Sequence, residues 1–364
     1  MERDLDHEPP RKRRRAQNGT AQATPSEPLL SPPSPPSPPA NHLRVYSWNI
    51  NGIAPFIQPS IASYVQGAQN TKSRPDTPIT TSLRNFLRRH HWPQILNLQE
   101  VKINPDDKVS QRAVEKAVNL CRSGPDDGPE YTVKFCLPRD RYNATGFGRK
   151  VYGVITIIRD DFLRDHVTTV REVDWDVEGR VLVVETRSKL AIWNIYAVNG
   201  TTNPYRDPTN GDVKGTRHDR KLAFHQSLLD ECKRMESDGY RHVLAGDLNV
   251  ARAPIDGYPK LRMKPEQHVK NREDFNTKFF DSEDGMQALD SYRHLNPKKK
   301  KYTYHPRNRD WKSSCDRVDM IILSKQLGEE GTLVGADILE SEAERGPSDH
   351  VPLYVSLDLE NIRD

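Results

Sequence analysis

No stretch of these 364 residues approaches the roughly twenty consecutive apolar residues that a membrane helix needs, and no apolar segment has the form of a signal peptide. The sequence therefore reads as a chain without membrane association. Cysteine is scarce: Cys121, Cys136, Cys232 and Cys315 lie far apart, without the paired spacing of a zinc site. They read as reduced intracellular thiols, mostly in the core. Excess charge is small as well. The net value is +4, and residues 1–41 hold six basic residues against five acidic, which leaves +3 on the remainder. So small a surplus identifies no polyanionic partner by itself.

Large apolar residues are nearly missing from residues 1–41, which carry ten of the 28 prolines and the repeat Ser31-Pro-Pro-Ser34-Pro-Pro-Ser37-Pro-Pro. Such a segment cannot bury enough surface to offset its ordering entropy, so a disordered, polyproline-like tail is expected. A catalytic-sized domain is expected over residues 42–360. Within the tail, Arg11-Lys-Arg-Arg-Arg15 is a dense basic cluster of the kind that import receptors read, although a solvated charge run would look the same. Glu2, Asp4, Asp6 and Glu8 argue against a mitochondrial leader, which would be poor in acids. The expectation is a monomer located in the nucleus.

From Leu43 onward short β-branched runs alternate with amphipathic stretches. Strands are expected at 44–50, 94–98, 152–158, 180–185, 190–198, 242–245, 318–323 and 351–357. Helices are expected at 79–91, 109–120 and 220–235, the last with Leu222, Leu228, Leu229 and Cys232 on one face. Residues 52–76 and 201–216 are polar and read as loops. The mixture implies an α/β domain with helices covering sheets.

The most informative segment is Val243-Leu-Ala-Gly-Asp-Leu-Asn249, which delivers an acid and an amide two residues apart at the end of an apolar run. That spacing puts Asp247 and Asn249 on one face, where they can share a metal or a phosphate. Taken alone it is as readily a turn. Three further strand ends match it: Ser47-Trp-Asn-Ile-Asn51, Leu96-Asn-Leu-Gln-Glu100 and Gly346-Pro-Ser-Asp349-His350. Phosphodiester hydrolysis needs a divalent cation, a base for the attacking water and donors for the developing charge. A magnesium site uses one or two carboxylates and keeps water and substrate oxygens as its other ligands. Glu100 fits that demand, with Asn51 as a neutral companion. Trp48 alternates with Ser47 and Asn49 and is placed in the core. The run Lys298–Lys301, followed by Tyr302, Tyr304, Arg307, Arg309, Trp311 and Lys312, interleaves cations with rings, as a nucleic-acid surface does.

These motifs in this order, together with Tyr196 and Asn199, Arg317-Val-Asp319 and the segment Asp290–Pro297, resemble the exonuclease III class of the endonuclease/exonuclease/phosphatase superfamily. The resemblance covers residues 43–358, and Asp290–Pro297 looks like its apurinic/apyrimidinic endonuclease branch. It implies a DNase I-like four-layer sandwich, two packed mixed β-sheets flanked by helices, with the site at one rim. It also implies Mg²⁺ or Mn²⁺ on a ligand set drawn from Asn51, Glu100, Asp247, Asn249, Asp349 and His350. Asp247 would orient or deprotonate the water, and Asn249 would donate to the scissile phosphate. Asp319 would hold His350 as a phosphate-facing cation, and Tyr196 would point its phenol at the phosphate or leaving oxygen. Asn49 and Asn199 would add donors, and Tyr304, Arg317 and Val318 would line the substrate groove. The implied substrate is DNA, cut 5′ to abasic sites, with 3′-to-5′ exonuclease or 3′-phosphodiesterase activity.

The chain departs from that pattern in four places. Asn51 replaces the aspartate of some relatives, Gln94 replaces an aspartate of the outer metal shell, His305 replaces a larger ring, and Asp316 stands where an apolar pocket residue is expected. Asp316 keeps open a phosphodiesterase acting on RNA, a protein–DNA adduct or another phosphodiester. A third reading, an inactive DNA-binding module, is opposed by the joint presence of Glu100, Asp247, Asn249, Asp319 and His350.

Overall fold

The computed structural model describes residues 34, 35, 37, 39, 41–57, 82–119, 128–144 and 152–362. Residues 1–33 of the tail with the Arg11–Arg15 cluster, Cys121 and residues 58–76 of the first expected loop lie outside them. Two six-stranded sheets carry the architecture. The first runs in the order β15 (Leu333–Ile338), β16 (Leu353–Asp358), β1 (His42–Asn49), β2 (Ile95–Gln99), β4 (Val154–Arg159), β3 (Tyr131–Cys136). The second runs β12 (Leu289–Asp290), β14 (Asp319–Leu323), β10 (Arg241–Asp247), β7 (Leu190–Tyr196), β6 (Val181–Thr186), β5 (Val167–Glu172). Each contains one parallel pair, β1 with β2 and β10 with β7, so both sheets are mixed.

Strand alternation builds the layers. Leu43, Val45, Ile95 and Val355 face Ile192, Val243, Ala245 and Ile321 across the space between the sheets. The alternate residues Tyr46, Trp48, Leu96 and Leu98 face outward, onto Phe86 and Leu87 of the helix Leu83–Arg89 and Val114 and Val118 of the helix Lys108–Asn119. Trp193, Ile195, Leu244 and Ile322 face outward from the other sheet, onto the helix Arg217–Ser237. This is the expected four-layer sandwich. Trp48 is 1% exposed and packs on Phe56 and Phe86, as its alternation with Ser47 and Asn49 requires. The buried stripe of the long helix is Phe224, Leu228, Cys232 and Met235, the i, i+4, i+8 and i+11 positions. Leu222 and Leu229 fall beside that stripe and are only half-buried. Cys136, Cys232 and Cys315 are free and buried, as their scatter suggested.

Four strands of these two sheets escaped the sequence pattern: β3, β5, β12 and β15. All lie at sheet edges, with burial on few positions, so their apolar alternation is diluted by solvent-facing residues. The polar stretch 201–216, expected as a loop, contains a short hairpin, β8 (Pro204–Arg206) with β9 (Val213–Thr216). A last small ladder joins β11 (Gly257–Tyr258) to β13 (Cys315–Asp316).

Toward the rim the space between the sheets turns polar. Gln99 Nε2 donates to Ser47 Oγ (3.0 Å) and to Asn194 Oδ1 (2.8 Å), Asn194 Nδ2 donates to Ile155 O (2.8 Å), and Thr156 Oγ1 donates to Asn97 Oδ1 (2.9 Å). A buried network of this kind welds the sheets in one register, because slipping either would orphan several polar atoms.

A second buried network stands behind Tyr196. Glu178, 1% exposed, accepts from Arg180 Nε (2.8 Å) and from both terminal nitrogens of Arg217 (3.0 and 2.7 Å), while Arg180 donates onward to Tyr196 O (3.0 Å). Burial pushes the Glu178 carboxyl up, but Arg180 and then Arg217 outweigh it and bring it down to about 2. The folded value lies below the ordinary 4.5, so this stabilisation is complete above that pH and is lost as pH falls through about 2. Glu178→Gln is expected to cost about 3–5 kcal/mol in urea unfolding at pH 7, with an unchanged denaturant slope, and to converge with wild type near pH 2. An equal difference at both pH values would separate the loss from Glu178 ionisation.

Candidate active site

Sheet register brings the strand-end residues together. Asp247 pairs with Asp319 across the antiparallel β10–β14 ladder and with Tyr196 across the parallel β10–β7 ladder, so three candidate residues lie on neighbouring strands. In the other sheet Asn49 pairs with Gln99, which sets the exits of β1 and β2 side by side. Gly246 permits the crowding: a Cβ there would come within 1.8 Å of Ile195 O. Just beyond the strands Asn51 (φ 50°), Glu100 (φ 55°) and Asn249 (φ 54°) adopt the left-handed conformation. Such residues are sparse in proteins and gather where side chains are re-aimed at a site.

Asn49 links the two sheets at this rim. Its Nδ2 donates to Glu100 Oε2 (3.1 Å) and Asp247 Oδ2 (2.9 Å), and its Oδ1 accepts from the Asn51 N–H (3.0 Å). Asn249 closes back on Asp247, N–H to Oδ1 at 2.9 Å, and its Nδ2 donates to Ala197 O at 2.9 Å. On the far side His350 Nδ1 and Asp319 Oδ2 are 2.7 Å apart, and Ser348 Oγ donates to Asn49 O (2.7 Å), tying the His350 turn to β1. Asp349 Oδ1 lies 4.0 Å from His350 Nε2, and the other oxygen of Asp319 is buried without a partner.

The electrostatics divide the groups into two kinds. Burial, then the Asp319 carboxylate, pushes Asp247 up to about 7. Burial opposes charge on His350, but Asp319, followed by Asp247 and Asp349, outweighs it and lifts the imidazole to about 10. His350 is therefore an imidazolium at neutral pH with Nε2 toward the cleft, which suits a phosphate oxygen and not a cation. Burial and the carboxylates of Glu100 and Asp247 push the Tyr196 phenol well above its ordinary value, so it stays a donor. Burial raises Glu100 too, but Lys102 and the Asn49 amide outweigh it and keep it ionised.

Two groupings bear on a divalent cation. Asp247, Asp319 and His350 bring ligand atoms within 4.8 Å of one another among the described residues, but His350, held as an imidazolium, has no lone pair for a metal and leaves only the two carboxylates of that group as acceptors. The second is Glu100 with Asn51, and there the structure places a positive charge already: the Lys102 ammonium is 2.9 Å from Glu100 Oε1 and hydrogen-bonds Asn51 Oδ1. Two hard oxygens converging on one cation match the donor preference of magnesium or manganese, so these residues fit the group.

Glu100, Tyr196, Asn199, Asp247, Asn249, Asp349 and His350 line one cleft, and Tyr304 and Val318 form part of its wall. Asn49, Asn51 and Asp319 stand immediately behind the lining through the bonds above. Arg317 does not reach the cleft. It is 1% exposed, and its guanidinium spends four of its five N–H donors on Asp256 (2.7 and 3.2 Å) and Asp290 (3.1 and 2.7 Å), so it is buried away from DNA; the adjoining acids make it a structural ion pair. The same contacts give Asp290 and the segment after it a structural task. Gln94 is likewise remote from any metal shell. It precedes β2 while Glu100 follows it, roughly 20 Å away at about 3.3 Å per residue, and it bonds the β1 backbone at Arg44 N (2.9 Å) and His42 O (3.0 Å).

Asp316 does line the cleft; burial raises its carboxyl, and Arg262 and Arg272 oppose that rise. The rings following the lysine run are mostly used internally: Tyr302 is buried, and Trp311 stacks on His305 at 3.9 Å and under Arg345 at 4.8 Å. Lys301 is tied to Asp337 at 2.6 Å, while Lys298, Lys299 and Lys300 stay exposed.

Sequence reasoning missed Lys221, Arg262, His268 and Arg272, which also line the cleft. Lys221 is 3% exposed, donates to Asn249 O (2.7 Å), and is pushed down to about 7 by burial. A lysine three and seven residues before Phe224 and Leu228, on the buried stripe of an amphipathic helix, was the signal available for it.

The sequence pattern of the Endonuclease/Exonuclease/phosphatase family matches residues 46–350. Among curated proteins the chain is similar to the DNA-(apurinic or apyrimidinic site) endonuclease 2 of Mus musculus, 27% identical over 283 residues, and that of Bos taurus, 24% over 287. Each match covers 71% of this chain and 49% of the relative, so the chain spans about half the length of the curated relatives it matches. Among solved structures it resembles the catalytic domain of Xenopus laevis APE2 (TM-score 0.57, 18% identity, 87% of this chain and 92% of that one). It also resembles the AP endonuclease LMAP from Leishmania major (TM-score 0.60, 17% identity, 88% and 89%). At these identities the structural likeness shows the fold.

Proposed function

This chain belongs to the endonuclease/exonuclease/phosphatase family, and on that premise we propose that it is a magnesium- or manganese-dependent DNA phosphodiesterase that cuts 5′ to abasic sites. A 3′-hydroxyl would be left, and the same centre would trim 3′ ends as a 3′-to-5′ exonuclease or 3′-phosphodiesterase. The observation that carries the reading is the single cleft in which an elevated carboxyl (Asp247), an imidazolium (His350) and a cation-holding oxygen pair (Glu100 with Asn51) converge beside Tyr304 and Val318.

The residues divide the work as follows. Glu100 and Asn51 would hold a magnesium or manganese ion, with Asp349 as a secondary ligand, and the ion would supply charge neutralisation at the phosphate. Asp247 takes the proton of the attacking water, and Asn249, fixed by its bonds to Asp247 and Ala197, orients that water and the phosphate. His350 donates from Nε2 to a phosphate oxygen where negative charge develops, and Tyr196 donates its phenol to the same group or to the leaving oxygen. Asn49 holds Glu100 and Asp247 in place, and Asn199 on the cleft lining would add a neutral donor. Tyr304 and Val318 would receive the flipped, baseless sugar.

A second reading, a phosphodiesterase acting on RNA, a protein–DNA adduct or another phosphodiester, is favoured by one observation: Asp316 within the same cleft. One assay distinguishes the two. The protein is offered a duplex with one abasic analogue, an undamaged duplex, a recessed 3′ end and single-stranded RNA, with Mg²⁺, with Mn²⁺ and with excess chelator. Incision of the abasic duplex above the others, abolished by the chelator and reduced more than 3′ trimming by Tyr304→Ala, is the expected outcome. Full activity in the chelator sinks the metal assignment, and equal cleavage of RNA or undamaged DNA, unchanged by Tyr304→Ala, moves the conclusion to the second reading.

Nuclear import through Arg11–Arg15 and action as a monomer belong to this reading. Alanine at those five positions is expected to move a fluorescent fusion out of the nucleus with unchanged activity in vitro. Retention in the nucleus would assign the cluster to DNA tethering, which weakens with salt.

A further inference from the structure

Of the acids that line the cleft, Glu100, Asp247 and Asp349 have tasks at the metal or the attacking water, and Asp316 has none. Its backbone is fixed on both sides. Gly257 pairs with it across one small ladder, and on the other side it exchanges both backbone bonds with Tyr304, whose N–H donates to Asp316 O at 2.9 Å while the Asp316 N–H donates to Tyr304 O at 3.2 Å. The Asp316 carboxylate itself makes no hydrogen bond and no ion pair among the described residues.

Register aims that carboxylate along the site. Tyr304 is bridged to Asp316 on one side and to His350 on the other, and residues opposed in antiparallel pairs send their side chains to the same face, so Asp316, Tyr304 and His350 stand in a row on the cleft lining. The Tyr304 and His350 rings are 5.0 Å apart. Two strand spacings, roughly 10 Å, separate the ends of the row. With His350 at a phosphate, the sugar attached to that phosphate lies over Tyr304, and Asp316 meets the far side of the sugar. Val318, two residues on, shares this face, while Arg317 between them turns away to Asp256 and Asp290. Arg262 and Arg272, also on the lining, offset the negative charge that would otherwise repel a sugar-phosphate chain.

We propose that Asp316 reads the lesion: its carboxylate accepts a hydrogen bond from the C1′ hydroxyl of a baseless deoxyribose. The proposal rests on the reading of the cleft as an abasic-site phosphodiesterase and adds to it the group that is recognised. Within a DNA strand the 3′ and 5′ oxygens of a sugar are esterified and C2′ carries no hydroxyl. Loss of the base leaves a hydroxyl at C1′, the only donor which that sugar offers. A carboxylate is acceptor-only, and its bonds to such donors are among the strong ones. An intact nucleotide presents a base at C1′ and leaves the acid unpaired, and a site built to bond a hydroxyl discriminates sharply against a ligand that lacks it.

The test uses the full chain in Mg²⁺ and three duplexes that differ at one nucleotide: a natural abasic site with its C1′ hydroxyl, the tetrahydrofuran analogue without it, and a single ribonucleotide. Wild type is expected to favour the natural site over the analogue by about tenfold or more in kcat/KM, the worth of one hydrogen bond to a charged group. Asp316→Leu is expected to bring that ratio near one. Asp316→Asn, which keeps a neutral acceptor, is expected to fall between. The ratio cancels any general loss of active protein, and thermal melting checks that each variant is folded. Equal cleavage of the two abasic duplexes by wild type, or a preference that survives Asp316→Leu, overturns the proposal and leaves the cleft reading standing. A preference for the ribonucleotide that Asp316→Leu abolishes overturns it as well and assigns the carboxylate to a 2′-hydroxyl. If neither abasic duplex is cut, the cleft reading fails and the proposal falls with it.

Discussion

Asp247→Asn is expected to lower turnover by about two orders of magnitude or more while nucleic-acid binding survives. The substitution keeps the shape of the side chain and removes only its capacity to take a proton. The pH profile isolates that loss. Wild-type kcat/KM is expected to rise with pH through about 7 as Asp247 ionises and to fall near 10 as His350 loses its proton. The variant should keep the falling limb alone. A rising limb that persists in the variant assigns the base elsewhere. Asp247 also carries a stability cost: its folded value lies above the ordinary 3.8, so stability decreases as pH rises from that value to about 7. Asn49, the Asn249 N–H and His350 make the ionised form tolerable, and the site trades stability for a base near the working pH.

His350→Ala is expected to reduce turnover about as much as Asp247→Asn, and Asp319→Ala to approach it. The double variant His350→Ala/Asp319→Ala should be little worse than either single one. The 2.7 Å contact makes the two residues one device, because Asp319 is the largest influence opposing burial, and without it only the more weakly acting Asp247 and Asp349 would resist the drive of the imidazole toward its neutral form. His350 is raised in the fold, so the pair's stabilisation is complete below the ordinary 6.5 and is lost as pH rises through about 10. Asp319→Asn is accordingly expected to move the alkaline limb toward neutrality, which a nuclear magnetic resonance titration of His350 reads directly. Fully additive losses, or an alkaline limb that does not move, would show that the two residues act independently.

Much of this centre was legible in the chain because strand geometry is local. Side chains alternate along a strand, so Ser47 and Asn49 were separated from Trp48 before any fold was known. Residues flanking a strand lie at a sheet rim, so polar groups following apolar runs at Asn51, Glu100 and Asn249, and preceding one at His350, pointed to sheet edges. Edge strands were not legible, since one of their faces meets water and the alternation fades. Nor was the polar weld of Gln99, Asn194 and Thr156, which reads in sequence as scattered interruptions of apolar runs.

By itself the sequence determined the α/β class, the polar residues at strand ends and the acids and amides that could do phosphoester chemistry, while the two-sheet sandwich came from the family that its motifs resemble. Only the tertiary structure decided which of those side chains meet the cleft. Arg317 and Val318 are neighbours in sequence, yet one ends between Asp256 and Asp290 and the other on the cleft wall. Lys221 enters from a helix that gave no motif, and Gln94 stands at the wrong end of its strand. The physical reason is that strand periodicity fixes a side chain's face, whereas its partners come from ladder register and from segments tens of residues away.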